Sequence, residues 1–183
     1  HKAYAKLHGG YERAFSAGSV AEGLTDLTGG CSERLRLLHP RVRAEIDSGA
    51  LWSRLKRYME WNYVVCAEIE TEDRDAVEGP SGLLTDRAYS VLFLKEVGPL
   101  KFLKVRNPWG RGAWRRDWSV NSSKWDDHPE VEAAMAEDPD AGFERAADDD
   151  GSVFWMSWDD FTLHFNLLSL CRLFDEEQHM CYA

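Results

Sequence analysis

Residues 88–96 and 100–106 constrain this chain more than any other stretch. They read Ala-Tyr-Ser-Val-Leu-Phe-Leu-Lys-Glu and Leu-Lys-Phe-Leu-Lys-Val-Arg, rich in β-branched, aromatic and leucine side chains. Such composition favours extended chain, and the Val97-Gly98-Pro99 spacing between the two runs reads as a hairpin. Antiparallel pairing about a turn centred near Val97 and Gly98 brings residues 87–89 opposite residues 106–108, to within about two residues. Arg87 and Asn107 are therefore expected as neighbours at the open end of the hairpin.

The remaining elements are shorter. Tyr63-Val64-Val65-Cys66-Ala67 reads as a buried strand. Residues 2–15 begin helically, with Tyr4, Leu7 and Tyr11 on one face and Gly9-Gly10 weakening the middle. A second helix spans residues 50–60, with Leu51, Leu55 and Tyr58 or Met59 as its apolar stripe and Ser48 as its cap. Residues 129–137 start a third at Pro129, with Glu130 and Glu132 in the first turn. Ser157 and Asp160 resemble a capping box before a helical face of Trp158, Phe161, Phe165 and Leu168, although residues 167–173 read equally well as a final strand. Gly18 and Gly23 open a loop, residues 71–82 form a charged one, and residues 137–150, with seven acids, a solvated one. From residue 107 onward the pattern otherwise alternates loops with short helices. Without an internal repeat or a domain boundary, the mixture reads as α+β with antiparallel pairing.

At 183 residues the chain can bury the core of one domain. Its net charge of -10, from 32 acids against 22 bases, argues against a nucleic-acid binder. Arg106, Arg111, Arg115 and Arg116 form a local basic cluster, read as solvated surface. Eight tryptophans imply a core or groove built on large flat side chains. Cys31, Cys66, Cys171 and Cys181 form no Cys-x-x-Cys pair, and the Cys171, His179, Cys181 spacing fits no standard metal site. Buried reduced thiols are expected, Cys66 among them. No apolar run approaches the roughly 18 residues that a bilayer span needs, and no signal peptide is read in a sequence that starts at His1.

An imidazole beside an asparagine at the end of a hairpin is what a cysteine-protease dyad requires. The imidazole takes the thiol proton, and the amide oxygen accepts the other ring N–H and fixes the ring. Asp86-Arg87-Ala88-Tyr89-Ser90 and Asn107-Pro108-Trp109-Gly110 resemble the Gly-His-Ala-Tyr-Ser and Asn-Pro-Trp-Gly motifs of calpain-type cysteine proteases. The likeness continues through Lys2-Ala3-Tyr4-Ala5-Lys6-Leu7 with Tyr11-Glu12, Glu22 to Gly30, Trp114 and Trp118, and Gly151 to Phe161. Residues 122–131 resemble the calpain-like proteins of kinetoplastid protozoa in particular. The resemblance implies that residues 1–183 are the second, His- and Asn-bearing subdomain of a papain-like catalytic core. That subdomain would have an antiparallel sheet or barrel-like core with flanking helices. Its Cys-bearing partner half would precede it in the same protein and is absent from this chain.

Three departures from the family pattern bear on activity. Arg87 stands at the histidine position, and a permanently protonated guanidinium cannot act as a base. General acid–base catalysis is typically worth roughly 10²–10⁴-fold, so the loss is large unless His8, His128 or His164 reaches the same spot. The Gln...Gly-x-Cys-Trp nucleophile segment does not occur. Finally, the resemblance implies a calcium site whose matching positions are Ala113, Val120 and the Asp149-Asp150-Gly151-Ser152 turn. Calcium needs six to eight oxygens, and here Asp150 or Asp149 remains with backbone carbonyls, so weak or absent binding is expected. The acidic turn does not fit an EF-hand register.

Asn107 and Arg87 are thus the catalytic-position candidates. Trp109 and Asp86 are the cleft candidates, with the aromatic segment through Trp118 as one wall, and Asp150 is the candidate metal ligand. The expected molecule is calpain-like but without hydrolysis, acting on protein or peptide ligands. The alternative is an active calcium-dependent endopeptidase once joined to the Cys-bearing half. The family points to an intracellular place, cytoplasmic or associated with cytoskeleton or membrane; the membrane state is open.

Overall fold

A two-residue turn, Gly98-Pro99, closes the predicted hairpin, with Gly98 in the left-handed region at φ 57. The computed structural model describes residues 2–12, 19–71, 78–110, 112–143 and 152–174. In it β3 (Ala88–Val97) and β4 (Leu100–Arg106) pair antiparallel from Val97 opposite Leu100. They belong to one six-stranded antiparallel sheet with β1 (Cys31–Arg36), β2 (Val64–Glu68), β5 (Val153–Ser157) and β6 (Leu167–Arg172). The order is β1-β6-β2-β3-β4-β5. The α+β expectation therefore holds, with helices flanking the sheet.

The helices correct several local expectations. α1 (Lys2–Leu7) ends just before Gly9 and buries only Ala5, while Leu7 and Tyr11 are exposed. The expected helical residues 13–15 lie outside the described residues. α2 (Val20–Thr28) replaces the expected loop. Its start is a reciprocal box: the Ser19 hydroxyl accepts the Glu22 N–H, and the Glu22 carboxylate accepts the Ser19 N–H. That box outweighs the helix penalty of Gly23. α3 (Pro40–Asp47) begins at a proline, for which a missing N–H costs nothing in the first turn.

α4 (Ala50–Glu60) coincides with the predicted second helix. Its cap is Gly49, in the left-handed region, and Ser48 instead closes α3. α5 (Lys124–Asp127) and α6 (Pro129–Ala136) follow, and α7 (Trp158–His164) is capped by Ser157 accepting the Asp160 N–H. The 167–173 alternative resolves to strand β6. The short strand β5 lies where loops and short helices were expected.

Period-2 alternation gives β4 and β5 two covered faces. Leu103, Val105, Phe154 and Met156 join the main core with Leu51, Trp52, Leu55 and Tyr58 of α4 and Trp158 and Phe161 of α7. On the other face Phe102 and Trp155 join Trp118, Trp125, Val131 and Met135 in a second core. Six of the eight tryptophans are buried in these two cores, and Trp61 and Trp109 are exposed. No helix of the described residues is long and apolar enough to cross a membrane.

Candidate functional site

A register slip within the hairpin sets the geometry of its open end. Between Val91 and Phe93 the pairing shifts by one residue, leaving Leu92 as the extra, exposed residue of β3. Beyond the slip, Ser90 pairs with Arg106. Continued outward, the same register sets Tyr89 opposite Asn107 and Arg87 opposite Trp109. This is within two residues of the expectation, and the direct partner of Arg87 is Trp109.

The turn before β3 is built on Asp86. Its φ of 49 lies in the left-handed region, where the resembling motif has glycine. The Asp86 N–H donates to the Ile69 carbonyl at 2.8 Å. Its carboxylate accepts the Thr71 N–H at 3.2 Å and the Thr71 hydroxyl at 2.8 Å. Asp86 thus fastens the chain after β2 to the start of β3. Thr71 carries no sequence signal that singles it out. Tyr89, fully buried, accepts the Leu84 N–H at 2.7 Å and anchors the preceding loop.

Across from this turn, Asn107 ties itself to Trp109 and Gly112. Asn107 is 1% exposed, and its N–H donates to the Ser152 carbonyl at 2.6 Å. Its side-chain oxygen accepts the Trp109 N–H at 3.0 Å, an Asx-type closure around Pro108. Its amide nitrogen donates to the Gly112 carbonyl at 2.6 Å. Both ends of the carboxamide are therefore bonded within its own loop. Trp109, 50% exposed, donates its indole N–H to the Ala88 carbonyl at 3.3 Å.

Arg87 lies over that indole. Its guanidinium carbon is 4.9 Å from the ring centroid, and one N–H donates to the Asp86 carbonyl at 2.8 Å. Among the described residues it has no carboxylate partner. The histidines that might have supplied a base are engaged elsewhere. His8 pairs with Asp26 at 2.8 Å, His128 with Glu130 at 3.2 Å, and His164 packs on Trp114. Cys66 and Cys171 are buried in the sheet, Cys31 is exposed on β1, and Cys181 lies outside the described residues. Burial pushes the Cys66 thiol up to about 11, the environment of a core thiol rather than of a nucleophile.

The aromatic wall is narrower than the sequence suggested. Trp114 and Trp118 are 3% and 7% exposed and belong to the two cores, so among the tryptophans of that segment Trp109 alone is presented to solvent. The calcium positions lack a fitting donor set. Ala113 and Val120 have hydrocarbon side chains, and the Ala113 carbonyl is aimed at Gly82, where a Cβ would lie 1.8 Å from it. Glycine is needed at that close approach. Asp149 and Asp150 lie outside the described residues, and among the described residues no three His, Cys, Asp or Glu side chains cluster as metal ligands. Of the basic cluster, Arg115 pairs with Glu78 at 2.5 Å, Arg106 and Arg116 are exposed, and Arg111 is outside the described residues.

Chemically, the open end of the hairpin offers a fixed cation, an exposed indole and a buried amide. It can hold an anion or stack a flat group. Within it, no described group is placed to accept a thiol proton.

The profile of the calpain family cysteine proteases matches residues 1–172, which ends with the last residue of β6. The calpain-type cysteine protease DEK1 of Zea mays is 35% identical over 177 residues, covering 96% of this chain and 8% of that protein. Calpain-A of Drosophila melanogaster is 35% identical over 182 residues, with coverage of 94% and 20%. The calpain-2 catalytic subunit of Mus musculus is 34% identical over 180 residues, with coverage of 94% and 23%. The chain thus spans less than a quarter of the length of each of these relatives.

Proposed function

The chain belongs to the calpain family of cysteine proteases, and from that premise we propose that it is a non-hydrolytic member that binds protein or peptide ligands. It would do so as the second subdomain of the catalytic core, against a Cys-bearing half upstream in the same protein. The observation that carries this reading is the Arg87 guanidinium stacked on Trp109, in the place that the family motif gives to the base. A guanidinium neither accepts the thiol proton nor returns one to the leaving amine. A nearby cation can favour a thiolate, but the amine would leave unprotonated. The reading includes no catalytic calcium in this half, because Ala113 and Val120 contribute no side-chain oxygen. An intracellular place follows the family and is part of the same proposal.

One observation favours a second reading, an active calcium-dependent endopeptidase. Asn107 is buried and bonded to Trp109 and Gly112, and asparagine is the residue that the family motif pairs with the base. Casein cleavage by the full parent chain, wild type beside Arg87→His, with and without calcium, separates the two. The expected result is no cleavage by wild type. Cleavage gained by Arg87→His would mean that one residue disables an otherwise intact site. Cleavage by wild type would overturn the proposal.

A further inference from the structure

Resting on the non-hydrolytic reading above, we infer that Arg87 and Trp109 form a carboxylate-binding site for an extended peptide. A guanidinium has five N–H donors in a planar fork that matches a carboxylate in bidentate fashion. Arg87 uses one donor on the Asp86 carbonyl and has no carboxylate partner among the described residues. The nearest acid in sequence, Asp86, makes no ion pair with it: both of its carboxylate oxygens are bonded to Thr71.

The platform under the cation is held in place before any ligand arrives. The Trp109 ring is tied by its indole N–H to Ala88, and its backbone N–H is tied to Asn107. A guanidinium stacked on a fixed ring loses less freedom on binding than a free arginine. The local charge points the same way. On a chain of net charge -10, Arg87 and Arg106 flank the open end of the hairpin, and neither has a carboxylate partner among the described residues. The substitution that removes the base therefore supplies an anchor for a negatively charged group. That group is either a free C-terminus or an Asp or Glu side chain.

The test uses the full parent chain and three N-acetylated polyalanine peptides of equal length. One has a free C-terminal carboxylate, one an amidated end, and one an amidated end with a single internal glutamate. Affinity is measured by calorimetry, and each peptide is recovered and weighed by mass spectrometry. The expected result is that one or both carboxylate peptides bind roughly ten- to a hundredfold tighter than the neutral one. Which of the two binds identifies the source of the anion. Arg87→Gln should erase the preference, and Arg87→Lys should retain part of it, keeping charge but losing the fork. If the Gln variant is unfolded, the salt dependence of the wild-type preference is the second readout, and it should weaken as ionic strength rises. Equal binding of all three peptides, no binding of any, a preference that survives Arg87→Gln, or one insensitive to salt would overturn the inference. Cleaved peptide would instead overturn the non-hydrolytic reading, and mass reports that independently of affinity.

Discussion

At the scale of residues, the family motifs are local devices with physical reasons. Tyr89 is wholly buried, with its ring edge-on to Phe154 and Phe165. Its hydroxyl is the acceptor for the Leu84 N–H. Tyr89→Phe keeps the ring packing and removes that acceptor, and should cost about 1–3 kcal/mol. A lower urea midpoint with an unchanged slope would show it, and an unchanged midpoint would contradict it. Asn107 closes a turn around Pro108 by accepting the Trp109 N–H. The identities of Asp86, Tyr89 and Asn107 were readable as motif positions, but their partners were not. Leu84, Thr71 and Gly112 supply backbone groups or a loop hydroxyl, and nothing in a sequence marks which carbonyl a side chain will find. The one-residue slip at Leu92 was equally hidden, because leucine at that position preserves the strand composition. Without it the register at the turn would set Gly110 opposite Arg87, and the slip sets Trp109 there instead.

At the scale of elements, legibility followed the strength of local periodicity. The hairpin and α4 were read nearly residue for residue, because each has a long apolar pattern and clear stops. α2 is hidden in the sequence because Gly18 and Gly23 read as a loop, whereas in the fold the reciprocal Ser19–Glu22 bonds prevail. β1 is a polar edge strand with no apolar alternation, and β5 is too short for its period to stand out. Both are strands because partners exist for them elsewhere in the chain.

The pH response of α7 can be read at this scale too. His164, in its last turn, packs on Trp114 at a centroid distance of 5.1 Å. Burial lowers its pKa from the ordinary 6.5, the nearby Arg116 lowers it further, and Asp160 opposes both. The fold therefore disfavours the imidazolium. The stability this contributes is complete above pH 6.5 and is lost as pH falls through the lowered folded value. Melting temperature should drop as the pH passes below 6.5, and His164→Gln should flatten that part of the profile. An identical slope in the variant would rule the group out. The carboxylates with lowered values, Glu96, Glu130 and Asp138, act in more acid windows, below 4.5 for the two glutamates and 3.8 for the aspartate.

At the scale of the whole molecule, the α+β class was legible, but the strand order was not. Composition says which segments are extended and is silent on which distant strand each will meet. The exposed apolar side chains give this scale its prediction. Leu27, Leu38 and Leu163 are 76%, 72% and 74% exposed, and Trp61 and Trp109 are 56% and 50%. These side chains present apolar surface to water, so the 183-residue chain alone should associate. Sedimentation velocity should show a mass that rises with concentration. A concentration-independent monomer would count against it.

The strand order also governs how the protein must come off the ribosome. β6, the last strand, lies between β1 and β2, which are made far earlier. Among the described residues β1 pairs only with β6, from Cys31 opposite Arg172 to Arg36 opposite Leu167. The nascent chain therefore carries β1 as an unpaired edge until residue 172 clears the exit tunnel. Residues 31–172 must all be translated before the sheet can close. The polar side chains of Ser32, Glu33, Arg34 and Arg36 keep that waiting edge soluble.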